Sequence, residues 1–544
     1  MKCCFTLSYI ANGKPVTVYD LTENGDFALD ISDNVSRRTV KITAKRDMEL
    51  CDYREHSHDF FTKSDDKRDS YFMNGYQSWT DTREFYLSEK EHNVNRVPKP
   101  LMNIYMFDRY GDALFYDYKK DMLHGYDVFY KKGQNSCFVA SVNEKNAYLI
   151  FEVNRKTGDL TLISDIKGKT LASGETFILC DYIYHGDYCS GVSALKKHYS
   201  NKSPKKIFGY TSWYNYYQDI NEEIITRDLQ ALDERFNLFQ IDDGYETYVG
   251  DWLDVDKKKF ANGLAPIVDA AHKKGYMAGI WLAPFVAEEK SRLFTEKQSW
   301  FKVDKSGQPV KCGSNWSGFY ALDLENKEVR DYISTCLKTY ADMGFDFFKL
   351  DFLYAANFPK YNGKTSSQAA HDAYVFLREI LGDKLILGCG ATLSNACGVF
   401  DYMRVGPDVS LKFDDVWYMR FMHRERISTK VTLQNTIYRS FLNGVYFGND
   451  PDVFLLRDDN LSLSKEQRRA LITINALFGS VMMTSDNISD YDDEKRKLLA
   501  YALDLFENGE IVSFERRNKI INIVYKLRGE SRELNYHTEK GVLI

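Results

Sequence analysis

The sequence predicts a multidomain α/β protein: a central (β/α)8 TIM barrel, an N-terminal antiparallel β-sandwich and a small C-terminal β domain. Three observations carry this. Short alternating apolar segments fill residues 1–205, eight short apolar runs interleave with longer amphipathic ones over 206–508, and a strand-like tail occupies 509–544. At 544 residues the chain fits one large barrel with appended modules better than several equal domains.

The sandwich rests on period-2 segments such as "KPVTVYDL", "RRTVKITA", "SCFVASV", "AYLIFEV" and "GDLTLISD", punctuated by "NGK", "ENGD" and "KTGD" turns. The pattern changes near "NKSPKKIFGYTSWYNYY". Barrel strands are predicted in "FGYTSW", "LFQIDD", "YMAGIWLA", "FDFFKLD", "KLILGCG", "DYMRVG", "GVYFGND" and "SVMMTSD". Helices are predicted in "NEEIITRDLQALDERF", "APIVDAAHKKG", "NKEVRDYISTCLKTYADMG", "SSQAAHDAYVFLREILG" and "SKEQRRALITINALFG", with "DEKRKLLAYALDLFENG" completing the barrel. The tail reads as two or three strands.

Composition narrows the function. A hydrophobic fraction of 44% with 28% charged residues is that of a soluble globular chain, and no apolar run reaches the roughly 20 residues that span a bilayer. A net charge of −6 without a basic block argues against nucleic acid. Ten cysteines lie scattered without a CxxC pair, and adjacent Cys3 and Cys4 suit neither a disulfide nor a zinc site, so free thiols in a reducing compartment are expected. With a first segment that reads as a strand rather than a leader, the expected location is the cytoplasm. No cofactor or metal is implied.

Residues Gly344 to Phe352, "GFDFFKLDF", read as a buried strand that nonetheless carries Lys349 and Asp351. In a strand Phe347, Lys349 and Asp351 share one face, with Phe348, Leu350 and Phe352 on the other. Barrel sites form at the carboxyl ends of strands, where this pair lies; alone, it reads equally as an ion pair filling the barrel mouth. Other strand ends carry Trp213, Asp242 and Asp243, Trp281, Cys389, and Arg404 followed by Asp408. Glycoside hydrolysis uses such a set: one ionised carboxylate, one protonated, and polar groups for sugar hydroxyls. On that reading Asp351 beside Lys349 is the nucleophile, Asp408 the acid/base, and Asp242 and Asp243 hold hydroxyls.

At these residues the sequence resembles glycoside hydrolase family 36, the bacterial α-galactosidases. The matching stretches are "NGYQSW", "GYTSWYNYY", "FQIDDGYE" with "GDWL", "GIWLAPF", "FFKLDFLYA", "LILGCG", "MRVGPD" and "NDPDVFLLR", in family order over about 380 residues. The resemblance implies exo-hydrolysis of terminal α-linked galactose from oligosaccharides such as the raffinose series, with retention through a galactosyl-aspartate. It implies sugar contacts from Trp213, Asp242, Asp243, Trp281, Lys349, Cys389 and Arg404, and a roof formed by Trp79 of the β-domain. Tyr76 departs from the family's tryptophan. Small residues in "CGATLSNACGVF" could face the sugar's 2-position and admit an N-acetyl group, which keeps an α-N-acetylgalactosaminidase in play, beside a transglycosylase of the raffinose synthase type. A Schiff-base lyase built on Lys349 and a non-catalytic sugar-binding protein are competing classes. The oligomeric state stays open between monomer and homo-oligomer.

Among the remaining motifs, His56 and His58 in "REHSHD" read as a solvated loop rather than a metal site. Trp252 reads equally as lining or packing, Asp323 as structural, and Asp450 and Asp452 as orienting neighbours of the site.

Overall fold

The structure is a computed structural model that describes residues 4–20, 23–56, 58–63, 66–199, 204–358 and 362–544; Cys3 lies outside them. Among these, two seven-stranded antiparallel sheets are built from residues 4–185. One has the spatial order Lys14–Tyr19, Cys4–Ala11, Met48–His56, Leu160–Ser164, Leu149–Asn154, Met122–Tyr126, with Thr170–Leu171 on Met48–His56. The other runs Phe27–Asn34, Arg37–Ala44, Thr176–His185, Cys137–Ser141, Val128–Lys132, Ser70–Met73, Arg83–Phe85. Every second residue of Cys4–Ala11 and Arg37–Ala44 is buried, so Leu7, Tyr9, Val40 and Ile42 meet Phe129, Phe151 and Leu179 between the sheets. The histidines of "REHSHD" differ from expectation: His56 closes a strand and His58 is buried, stacked on Phe60 at 4.9 Å.

A helix not foreseen in the sequence, Tyr188–Tyr199, leads out of the sandwich. The barrel follows. Its parallel strands are Ile207–Thr211, Leu238–Ile241, Met277–Leu282, Phe347–Leu350, Leu385–Gly388 and Tyr402–Arg404, a seventh in two pieces, and Val481–Thr484, which pairs back to Ile207–Thr211. Nearly all these positions are buried, because both faces of a parallel barrel sheet are covered.

Strand seven is interrupted. Gly448–Asp450 pairs with strand six and Val453–Phe454 with strand eight, the break falling at Pro451 and Asp452. Proline has no N–H for a ladder, and Asp452 adopts φ +74°, outside the extended region.

The connecting helices start at side-chain caps: Asn221 before Glu222–Ala231, Asn326 before Lys327–Asp342, and capping boxes at Thr365 before Ser366–Leu381 and Ser464 before Lys465–Phe478. Strands five and six are joined through a short turn, Ser394–Ala396, rather than a full helix. Helix Thr429–Tyr438, after strand six, is buried on nearly every side and so lacks the amphipathic pattern that betrays the others. The tail forms four antiparallel strands, Gly509–Arg517, Ile520–Leu527, Glu530–His537 and Val542–Leu543, where two or three were expected. No helix among the described residues is long and apolar enough to cross a membrane.

Candidate active site

The carboxyl ends of the strands converge on a cavity of about 280 Å³. Trp79, Trp213, Asp242, Asp243, Trp281, Lys349, Asp351 and Asp408 line it; Cys389 and Arg404 are buried outside that lining.

The Lys349 ammonium reaches across to strand two and donates to Asp242 Oδ2 at 2.8 Å. The same oxygen accepts from Gln240 at 2.6 Å and Thr211 at 3.2 Å. Burial is the largest influence and opposes the lysine's charge, but Asp242 together with Asp351 and Cys389 holds the ammonium above its ordinary pKa. A Schiff-base lysine needs the opposite. Asp351 instead accepts from Trp281 Nε1 at 3.1 Å and from the Phe352 amide at 2.7 Å. Burial pushes its pKa above the usual carboxylate value, Lys349 pulls it down and Asp408 pushes it up. The ammonium's hydrogen bond thus goes to Asp242 rather than Asp351, and burial is the largest influence on Asp351, with Lys349 opposing it.

Arg404 gathers three carboxylates. It donates to Asp408 Oδ1 at 2.9 Å and Asp450 Oδ2 at 3.0 Å, and pairs with Asp452 Oδ1 at 2.7 Å. Asp408 is the exposed member, its side chain 32% accessible against 0% and 1% for the others. Asp452 is pushed up to about 7 by burial, with Arg404 opposing and Asp408 and Asp450 adding.

The roof comes from the sandwich. Trp79 packs its indole against Phe352 at 5.4 Å and Tyr354 at 5.8 Å. It settles onto Gly390, where a Cβ would lie 2.7 Å from the Trp79 ring, so only glycine lets the roof close on strand five. Arg439, just past Thr429–Tyr438, holds the loop in place. It donates to Asn74 Oδ1 at 3.0 Å, to the carbonyls of Ser78 at 2.6 Å and Gln77 at 3.1 Å, and to Val405 of the barrel at 2.8 Å. With carbonyl and amide oxygens as partners it lies in a cost-laden place, and burial lowers its pKa to about 9.

Sequence reasoning missed an aromatic wall: Tyr105, Phe107, Tyr110, Trp316, Phe352 and Tyr354 also line the cavity, with Glu425. Phe352 was expected to point away. Strand four ends at Leu350, and a left-handed residue at Phe352, φ +54°, turns the ring back toward the mouth. Trp316 sits in "SNWSG", whose only sequence signal is a tryptophan in a turn. Glu425 accepts from Thr80 at 2.9 Å, and burial pushes its carboxyl up to about 8.

The segment after strand five bonds to the β-domain. Ala391 O accepts from Ser78 N at 3.0 Å, Asn395 Oδ1 from Tyr148 at 2.6 Å, and Ser394 donates to Asp127 at 2.6 Å. Trp252 packs on Trp281 at 5.8 Å outside the cavity lining, and Asp251 accepts from the Arg292 and Leu293 amides. Asp323 accepts from the Glu325 amide at 3.3 Å. Among the described residues no group of three or more His, Cys, Asp or Glu is arranged to hold a metal ion.

Residues 184–397 match the Melibiase family model, a span that includes Trp213, Asp242, Asp243, Trp281, Lys349, Asp351 and Cys389. The chain is 26% identical over 268 residues to the bifunctional alpha-galactosidase/sucrose kinase AgaSK of Mediterraneibacter gnavus, covering 44% of this chain and 27% of that protein. It is 27% identical over 213 residues to an A type blood alpha-D-galactosamine galactosaminidase of Flavonifractor plautii, covering 35% and 19%. These alignments therefore span less than a third of either relative. In fold, the chain is similar to the alpha-galactosidase TtGalA of Thermus thermophilus, solved with p-nitrophenyl alpha-D-galactopyranoside: TM-score 0.70, 23% identity, 95% of this chain and 96% of that one.

Proposed function

We propose that this chain belongs to glycoside hydrolase family 36, a reading supported by its Melibiase segment and its fold, and that it is a retaining exo-α-galactosidase that releases terminal α-linked galactose from oligosaccharides. The observation that carries the reading is one cavity lined by two carboxylates in unlike settings, Asp351 and Asp408, beside the Lys349–Asp242 pair.

Asp351 is the nucleophile. Trp281 and the Phe352 amide donate to its two oxygens, which orients the carboxylate, and the nearby Lys349 favours its ionised form against burial. Its oxygen bonds to the anomeric carbon as the glycosidic bond breaks, while Asp408 gives its proton to the leaving oxygen. Water then gives a proton to Asp408 and attacks the same carbon, releasing Asp351 and galactose. Two inversions amount to retention. Arg404 orients Asp408 through an ion pair at 2.9 Å while also pairing with Asp450 and Asp452.

Asp242 and Asp243 take hydroxyls of the galactose ring. The bonding of residues 391–395 to the sandwich supports galactose over its 2-acetamido analogue, because the small residues make room for protein. The dispersed cysteines of the sequence support a cytoplasmic setting.

Initial rates on an aryl α-galactoside and its 2-acetamido counterpart test the proposal. A strong preference for the galactoside is expected. Preference for the acetamido sugar moves the substrate to α-linked N-acetylgalactosamine, and inactivity on both overturns the assignment.

A further inference from the structure

We propose that Trp316 is a positioning residue, whose indole N–H fixes the carboxylate of Asp243 for the sugar while its ring walls the cavity. The inference rests on the galactoside reading of this cavity. Trp316 lies at the tip of the hairpin formed by Lys311–Gly313 and Phe319–Ala321, in the loop after barrel strand three. Its Nε1 donates to Asp243 Oδ2 at 2.9 Å, and its ring packs on Phe352 at 5.1 Å, Phe319 at 5.2 Å and Trp281 at 6.2 Å.

The backbone argues that this ring is there for a reason. Asn315 O accepts from Gly318 N at 2.8 Å, closing a four-residue turn whose second residue, Trp316, has φ +53°. Asn, Asp or Gly meets that conformation with least strain, and a bulky aromatic there is strained. The surroundings hold it. Ser317 Oγ donates to Glu288 at 2.7 Å and accepts from the Lys290 amide at 3.1 Å, while Ser314 Oγ donates to Tyr105 O of the β-domain at 3.3 Å.

Asp243 needs such a holder. It is buried at the end of strand two, where the Asp242 carboxylate opposes its charge and the buried Glu246, held towards its protonated form, hydrogen-bonds to it. Gln218 Nε2 contacts both oxygens at 3.1 and 3.2 Å, and Trp316 supplies the remaining side-chain N–H. Burial pushes the Asp243 pKa up, Asp242 adds to this, and the hydrogen bonds from Glu246, Trp316 and Gln218 pull it down. Loss of the indole N–H therefore both loosens the carboxylate and favours its protonation.

The test is a double-mutant cycle on an aryl α-galactoside, with wild type, W316F, D243N and W316F/D243N. If wild type is inactive, the galactoside reading fails and the cycle has no baseline. If it is active, W316F is expected to raise KM roughly 10-fold with little change in kcat, the size of one hydrogen bond to a charged group. The acidic limb of its kcat/KM profile moves to higher pH. In the D243N background the same substitution changes KM less than about 2-fold, because the N–H has lost its charged partner. Equal losses in both backgrounds, or no change in W316F, overturn the proposal. Should W316F fail to fold, 3-benzothienylalanine incorporated at position 316 keeps the ring's shape without the N–H and reads the same cycle.

Discussion

The floor and the roof of the cavity are built from different materials. The floor is ionic: Lys349 with Asp242, and Arg404 with Asp408, Asp450 and Asp452, nearly all withdrawn from water. The roof is aromatic: Trp79, Phe107 and Tyr110 of the β-domain meet Tyr354 of the barrel, and Arg439 pins the loop that carries Trp79. Buried ion pairs are poor stabilisers, since desolvation offsets their attraction; on the proposed galactosidase reading, a floor this rich in charge serves a reacting sugar. Rings repel water and fit the faces of a pyranose while leaving protonation untouched. Changes to the floor should therefore register in kcat, and changes to the roof in stability and KM.

The strongest break of this contrast is Asp351→Ala. It should lower kcat by at least about 1,000-fold on every α-galactoside with the circular dichroism spectrum unchanged, since no glycosyl-enzyme can form. Rates near wild type would remove Asp351 from the mechanism. Asp408→Ala comes next and is selective: loss on an oligosaccharide should exceed loss on an activated aryl galactoside by roughly 100-fold, because only the poor leaving group needs the proton. Uniform losses would count against Asp408 as the acid.

The smallest effect belongs to the roof's seam. There His124 of Met122–Tyr126 lies between Glu91 at 2.6 Å and Asp112 at 2.5 Å, near Arg424 of the loop after strand six. Burial opposes its charge, but the two carboxylates outweigh it and hold its pKa up to about 9. A histidine raised this way contributes stability that is complete below its ordinary value of 6.5 and fades as pH rises through about 9. Thermal melts should fall over that window, and His124→Gln, less stable throughout, should flatten the decline. A decline of the same steepness in the variant would assign it to other groups.

How much of this was legible follows from the same contrast. The floor's positions could be read because parallel strands buried on both faces appear as apolar runs, so a charge at the end of one, such as Asp242 or Lys349, stands out. What those charges touch could not be read: Lys349 and Asp351 share a strand face, yet the ammonium bonds across to strand two. The wall was illegible for backbone reasons, since Phe352 and Trp316 reach the cavity through left-handed residues that no periodicity announces. Arg439 escaped notice because it follows a helix buried all round, where one more polar residue breaks no pattern. Tyr76, the family departure, lies in a β-domain cluster of aromatic rings, 5.3 Å from Tyr126 and 5.9 Å from Tyr148.

Arg439 also bears on how this architecture can be rebuilt. Its guanidinium is saturated only when the turn from Asn74 to Ser78 offers its oxygens, so each half of the molecule completes the other's valences. A barrel expressed without the β-domain would bare a cation evolved for an interior, and a graft of this barrel onto a foreign β-domain must carry that turn along. The unit of inheritance for engineering is the barrel with its lid, and swapping roofs to obtain new selectivity should begin inside the loop, at positions that leave those oxygens where Arg439 expects them.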